Sequence, residues 1–429
     1  VLCSAGAALA KKSGGVLRMY HRSNPPSASI HEEATISTVV PFMPVFNNLV
    51  LFDPAVAQNS EASIVPDLAE SWSWNDDGTE LTFKLRQGVK WHDGLPFTAT
   101  DVECTFNLLT GRARDNLRRN PRATWYRNIN YVHSDNAYEV TIYLNRPQPS
   151  ILSLLASGYS PIYPCHIPPA QMRLKPIGTG PFKFHSFKEF ERIKLVRNPD
   201  YWKPGRPYLD GIEYTIVTSP TTALLSFSAG RFDMTFPWEV TVPQLKETQR
   251  PKSKTVCETS AMNNNTNLLV NHRAAPFDNP DIRRALALAL DRRAFVAALG
   301  VGAGEIGGHL QPPPDGLWGL PSDMLAAVPG FGPDVKQNRE EARALMAKAG
   351  YSRDHQLRLK ISTRSVALYN NPAQLLIDQL KEINIAATLD VVETSHWFTR
   401  LDRMDYSIAL NTTGNGVDDP DQSFYENFS

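Results

Sequence analysis

Apolar and polar residues alternate with a period of two over Thr79-Glu80-Leu81-Thr82-Phe83-Lys84-Leu85-Arg86 and over Glu139-Val140-Thr141-Ile142-Tyr143-Leu144. That period predicts half-buried strands. The turn-forming run Asn75-Asp76-Asp77-Gly78 precedes the first strand, so a hairpin is expected from Trp72-Ser73-Trp74 into it. Prolines cluster at Pro161 to Pro169 and at Pro199 to Pro207, and the 33 in the chain favour loops of fixed geometry over long helices. From Asn279 the period lengthens. Asn279 is a candidate N-cap, Pro280 fits the first helical position, and Ile282, Ala285, Leu286 and Ala289 share a face. Asn338-Arg339-Glu340-Glu341 reads as a capping box, and Ala342, Leu345, Met346 and Ala349 form the stripe of a helix that Gly350 ends. Then come a strand over Leu357 to Ile361, a helix opened by Asn371-Pro372 with Leu376, Leu380 and Ile383 inward, and a strand over Ala387 to Val392. A short helix around His396 to Arg403 and a strand over Tyr406 to Leu410 complete the series. Strands alternating with helices make βαβ units, hence a parallel or mixed sheet covered on both faces. A strand-rich mixed α/β lobe is therefore expected before an α/β lobe, with the border near Ala261 to Asn271.

At 429 residues two or three domains are the default. Lys+Arg and Asp+Glu balance at 44 each, which argues against non-specific attraction to nucleic acid or anionic lipid. The nearest basic stripe, Arg112, Arg114, Arg118, Arg119 and Arg122, reads as a solvated loop or helix face. No run approaches the roughly 20 apolar residues that span a bilayer. Val1 to Ala10 are small and apolar and end in Ala8-Leu9-Ala10 before Lys11-Lys12, as the tail of a secretory signal would. A start at Val1 instead of Met implies that the signal's beginning lies upstream; the alternative is a frayed apolar start. Cys3, Cys104, Cys165 and Cys257 form no C-x-x-C pair, so no zinc or redox motif is signalled, and buried thiols are expected ahead of a single disulfide.

Catalytic templates mostly fail. Gly302-Ala303-Gly304-Glu305-Ile306-Gly307 follows a helix where a dinucleotide fingerprint must join a strand to one. Gly178-Thr179-Gly180-Pro181 lacks the Lys-Ser/Thr of a phosphate loop. His31-Glu32-Glu33 and His92-Asp93 read as surface hydrogen-bonding pairs, and no metal or cofactor is implied. The acidic cluster Asp418-Asp419-Pro420-Asp421, with Glu426 beyond, breaks calcium-loop geometry through Pro420. It follows the carboxyl end of the strand ending at Leu410, the edge where open α/β sheets bind ligands. A carboxylate there suits a cationic group on a solute. A secreted hydrolase using a pair among Asp418, Asp419 and Asp421 is the competing reading.

Several blocks occur in a telling order. They are Val65-Pro66-Asp67-Leu68-Ala69-Glu70-Ser71-Trp72, Leu81 to Gly94 ending Trp91-His92-Asp93-Gly94, and Phe97-Thr98-Ala99-Thr100-Asp101-Val102. Gly178-Thr179-Gly180-Pro181-Phe182, Arg197-Asn198-Pro199-Asp200-Tyr201-Trp202, Pro276-Phe277-Asp278-Asn279-Pro280 with Arg283-Arg284-Ala285, and Asp419-Pro420-Asp421 follow. In this combination, from about Asn47 onward, the chain resembles the peptide/nickel/oligopeptide class (family 5) of ABC-transporter solute-binding proteins.

The resemblance implies an α/β, two-lobed periplasmic-binding-protein fold of the class II, cluster C type, with an extra strand-rich subdomain within about 50–180. It sets a signal remnant at 1–10, lobe I at 11–262 and lobe II at 263–429. It implies a bacterial periplasmic receptor, monomeric and without cofactor, that captures a peptide or peptide-like solute between its lobes. Its partner is an ABC permease in the inner membrane, not nucleic acid. The ligand-binding residues it implies are Arg364, Asn411, Asn415, Asp418, Asp419, Trp238, Trp397 and Tyr159. In this scheme Arg364 meets a carboxylate, and Asn415, Asp418 or Asp419 meets an ammonium. Peptide binders of this kind often read G-W-x-G-D before the D-P-D block, whereas this chain reads Asn411-Thr412-Thr413-Gly414-Asn415. That departure opens the choice of solute to an opine, an oligosaccharide or another small organic molecule. Family members also continue past the D-P-D block and cross back to lobe I, so a chain ending at Ser429 reads as lacking that return segment.

Overall fold

A computed structural model describes residues 2–5, 13–56, 59–237, 239–240, 244–245, 255–258, 264–300, 306–307, 319–414 and 421. The chain divides into two units. The first comprises 4–236 with Asp421, and the second 1–3 with 237–414. The change falls at Phe236/Pro237, upstream of the border expected at Ala261 to Asn271. Strand β1 (Leu2–Ala5), within the stretch read as a signal remnant, pairs with a strand at Thr255–Glu258.

In the first unit β2 (Val16–His21) heads a mixed sheet, and β3 (Val50–Phe52) with β4 (Ile64–Pro66) forms a small antiparallel ribbon. The expected hairpin is present as β5 (Ala69–Trp74) and β6 (Glu80–Leu85). Its turn is closed by Asn75, whose Oδ1 accepts from the Thr79 and Glu80 amides, and by Gly78 at φ +70°, which suits a residue without Cβ. With β7 (Ile129–Asn136) and β8 (Glu139–Leu144) these build an antiparallel sheet in the order β5-β6-β8-β7. Its apolar positions, Leu81, Phe83, Leu85, Val140 and Ile142, enter a core completed by the helix Ala99–Leu109. This core draws its residues from Leu49 to Ile162 and is the extra strand-rich subdomain. A separate core lies beneath the sheet β2-β11-β10-β9, where β9 is Phe182–Lys188, β10 Arg192–Arg197 and β11 Gly211–Ile216. There β2 and β11 are parallel, and the remaining pairs are antiparallel.

In the second unit β12 is the Thr255–Glu258 strand, and β13 (Asn264–Val270), β14 (Leu357–Arg364), β15 (Ile385–Val392) and β16 (Ile408–Gly414) form a sheet ordered β13-β16-β14-β15. β14 runs parallel to both β15 and β16, as the βαβ pattern requires, and β13 is antiparallel on the edge. The helix Pro280–Ala289 opens as expected, with Asn279 accepting from the Asp281 amide at 2.9 Å. Two helix starts differ from expectation. The helix Val335–Lys348 begins a turn earlier, capped by Asp334 on the Gln337 amide at 2.9 Å, so Asn338 lies inside it. The helix Ala367–Lys381 carries Pro372 in its interior and has Val366, with no capping side chain, at its N-cap.

Candidate functional site

The residues that carry the sequence resemblance mostly bind one another. Asp67, 2% exposed, accepts from Asn47 Nδ2 at 2.9 and 3.1 Å, from the Asn48 amide at 3.0 Å and from Lys203 Nζ at 2.6 Å. Asn47 Oδ1 in turn accepts from Thr179 Oγ1 and Trp202 Nε1, both at 3.2 Å. Gly178 and Gly180 sit against the backbone of Val45; a Cβ on Gly178 would come within 1.9 Å of its carbonyl oxygen. His92 bonds the Gly180 carbonyl at 3.0 Å through Nε2. Asp101 caps its own helix by accepting from the Thr98 amide and also accepts from Trp91 Nε1 and the Cys165 amide. Five sequence blocks thus meet in one buried polar frame, because a carboxylate out of water requires several donors at once.

A second network corrects two expectations. His31, Glu32 and Glu33 are buried, not at the surface. Glu32 Oε1 accepts from the Arg118 amide at 2.6 Å and from Arg173 at 2.8 Å, while Glu33 Oε1 accepts from Arg118 and from Ser27 Oγ. Burial raises the Glu33 carboxyl above its ordinary range against these donors. Arg122, 3% exposed, donates to the Ile30 and Glu33 carbonyls, so this part of the arginine stripe points inward. The expected thiols are also corrected. Cys104 and Cys165 form a disulfide, Cys257 is disulfide-bonded as well, and no described cysteine is free.

The predicted site residues fall in different places. Tyr159 belongs to the first unit, edge-on to Trp125 with the Arg122 guanidinium 4.7 Å from its ring centroid. Arg364, Asn411 and Trp397 come together at the carboxyl edge of the parallel strands of the second unit. Arg364 ends β14 and is 3% exposed; it donates to Thr394 Oγ1 at 3.2 Å and lies 5.4 Å from the ring centroids of Tyr369 and Phe398. Asn411 lies on β16 opposite Asn267 of β13, and Thr412 lies opposite Thr266. Trp397, fully buried in the helix Thr394–Asp402, packs on Ala409 and Val392. Two helices, Ala367–Lys381 and Thr394–Asp402, start where β14 and β15 end, and neither has a side-chain N-cap bond. Neither N-cap side chain covers a first-turn amide, and the helix dipoles favour anionic groups at that edge.

The same edge holds polar atoms sealed from water and without a hydrogen-bond partner: Asn411 Oδ1, Thr412 Oγ1, Trp397 Nε1 and Asn370 Oδ1. Thr412 and Asn370 were not among the residues expected from sequence. Asn415, Asp418, Asp419 and Trp238 lie outside the described residues. Asp421 accepts from Ser150 Oγ at 2.6 Å within the first unit. No group of three His, Cys, Asp or Glu able to hold a metal occurs among the described residues, and no described helix is long and apolar enough to cross a membrane.

Comparison with known proteins bears on the family and the fold. The chain is 27% identical over 409 residues to di/tripeptide-binding protein 2 of Pseudomonas aeruginosa (strain UCBPP-PA14), covering 90% of this chain and 73% of that protein. Its fold is similar to the periplasmic binding protein DppA from Helicobacter pylori in complex with the peptide STSA, with a TM-score of 0.83 at 23% identity over 97% of this chain and 81% of that one. It is similar in the same sense to MoaA from A. tumefacien R10 in complex with mannopinic acid, with a TM-score of 0.78 at 24% identity over 95% and 79% of the two chains. The family model described as bacterial extracellular solute-binding proteins, family 5 Middle, matches residues 63–429. That match spans most of the chain and falls on an α/β architecture with a subdomain core of its own, so the chain belongs to the bacterial extracellular solute-binding proteins of family 5.

Proposed function

We propose that the protein is the solute-capture component of an ABC importer, taking up a peptide or peptide-like solute and handing it to a permease in the inner membrane. The observation that carries the reading is the carboxyl edge of the second unit, with Arg364, two uncapped helix starts and four buried polar atoms lacking protein partners. Such atoms are costly unless something outside the chain serves them. Arg364 receives an anionic group, Asn411 and Trp397 hold polar groups beside it, and the other expected contacts remain Asn415, Asp418, Asp419, Trp238 and Tyr159. Capture followed by closure requires the solute to favour the closed state, so it must touch both lobes. The Cys104–Cys165 disulfide supports a periplasmic setting, since such bonds persist in oxidising compartments. A monomer is the form proposed. Asp421, one of the three carboxylates of the hydrolase alternative, accepts from Ser150 Oγ at 2.6 Å, and measurement of turnover separates the two readings.

Thermal-shift screening against dipeptides, longer peptides, opines and oligosaccharides tests the proposal. Ligand at about 100 times its Kd stabilises by about 2.7 kcal/mol and shifts the midpoint visibly. A shift with one class, and no turnover of that compound on prolonged incubation, is expected. Turnover, or a flat response across all classes, overturns the reading.

A further inference from the structure

We infer that the carboxyl edge of the second unit recognises a hydroxyl-bearing part of the solute, so that the cargo is a polyhydroxylated amino-acid conjugate and not a plain peptide. The inference rests on the capture reading above. The positions that close this edge on β13 and β16 are Thr266, Asn267, Asn411 and Thr412, paired across the strands and all uncharged. Asparagine is disfavoured in strands, so local propensity does not account for a matched amide pair there. Asn411 is 7% exposed, yet its Oδ1 has no partner, and the same holds for Thr412 Oγ1 on the next residue. Successive strand residues face opposite sides of a sheet, so these two atoms lie on opposite faces of β16.

Trp397 Nε1 and Asn370 Oδ1 add one donor and one acceptor from the two helices that start at the same edge. The set therefore contains two amide oxygens that only accept, one indole N–H that only donates and one hydroxyl that does both. A peptide added as a strand uses main-chain groups of the edge and leaves these side-chain atoms unserved. Hydroxyl groups donate and accept at once and are carried on successive carbons of a sugar-derived chain beyond the one bonded to nitrogen, so they match a mixed set distributed over two faces. A carboxylate on the same molecule meets Arg364 and the helix starts.

Two variants and two probes test this. Thr412→Val keeps the shape and removes the hydroxyl, and Asn411→Ala removes the amide. The probes are mannopinic acid, a sugar-derived amino-acid conjugate, and alanyl-alanine, each titrated calorimetrically, with the ligand-free melting midpoint measured in parallel. The wild type is expected to bind mannopinic acid at least about tenfold more tightly than the dipeptide. Thr412→Val should weaken mannopinic acid binding about fivefold and leave dipeptide binding unchanged, since one hydrogen bond is lost. The ligand-free midpoint should stay level or rise, because removing an unserved buried hydroxyl removes a cost. Asn411→Ala should weaken the same probe at least as much.

Tighter binding of the dipeptide, or mannopinic acid binding insensitive to both variants, overturns the inference. A fallen midpoint with unchanged affinity for both probes assigns the hydroxyl a structural part and overturns it equally. Binding of neither probe overturns this solute class, and the wider panel of the previous subsection then decides the capture reading separately.

Discussion

His31 offers a quantitative test of the buried network in the first unit. Its Nε2 lies 2.8 Å from the Pro161 carbonyl and so carries the ring proton, while Nδ1 is buried without a partner. Protonating Nδ1 would bury a charge and an unserved N–H beside Arg122. Burial first, and the Arg122 guanidinium second, accordingly lower the imidazole from an ordinary 6.5 to about 3. Between these values the unfolded chain binds a proton that the folded chain refuses, so stability falls as pH drops through 6.5 and is fully retained above it. The slope is about 1.4 kcal/mol per pH unit, or about 2 kcal/mol by pH 5. His31→Gln retains a donor for Pro161 but does not titrate. It loses the ring packing on Tyr163, whose centroid is 4.3 Å away, which costs about 1 to 1.5 kcal/mol at every pH. Urea unfolding at pH 8, 6 and 5 should show the wild type ahead by about that amount at pH 8 and level with or behind the variant at pH 5. Two stability curves that run parallel from pH 8 to 5 would refute the neutral, enclosed imidazole.

Three further outcomes follow from local geometry. Gly180→Ala would put a Cβ 2.5 Å from the Val45 carbonyl carbon and should cost about 3 kcal/mol or more, read as a fall in melting midpoint; an unchanged midpoint contradicts the close approach. Phe190 sits at φ +58° on the β9–β10 turn with its side chain 66% exposed, so Phe190→Gly should stabilise by about 0.5 to 1 kcal/mol in urea titration, and a loss would show that the ring contributes packing. Replacing both Cys104 and Cys165 by Ser opens a link between residues 61 apart and should cost about 4 kcal/mol, and the reduced wild type, which loses the Cys257 disulfide as well, should be no more stable than the variant; an unchanged midpoint in the variant contradicts the link.

Local signals were legible where a single residue type answers a single need. Asn279-Pro280 announces a helix because an amide oxygen and a missing N–H both suit its first turn. Asn338 misled because Asp334, four residues earlier, caps equally well, and pattern alone does not rank two good caps. Ala367 was missed because Val366 offers no side-chain signal and Pro372 imitates a first position. Arg364 was named from the resemblance, three residues past the strand end expected at Ile361, and it closes β14 because that strand runs on to it. Thr412 and Asn370 were not legible, since an unserved hydrogen-bonding atom is defined by everything that fails to reach it. The buried charges escaped for the same reason: Arg118 is 85 residues from Glu33, and Arg173 is 141 from Glu32.

The polar frame around Asp67 and Asp101 also bears on how cargo can change. Its members hold one another within the first unit, while the amides and hydroxyls of β13 and β16 belong to the second. Substitutions at Thr266, Asn267, Asn370, Asn411 and Thr412 therefore leave every bond of that frame in place. On the proposed reading of that edge, a randomised library confined to those five positions should yield receptors for new solutes on an unaltered scaffold.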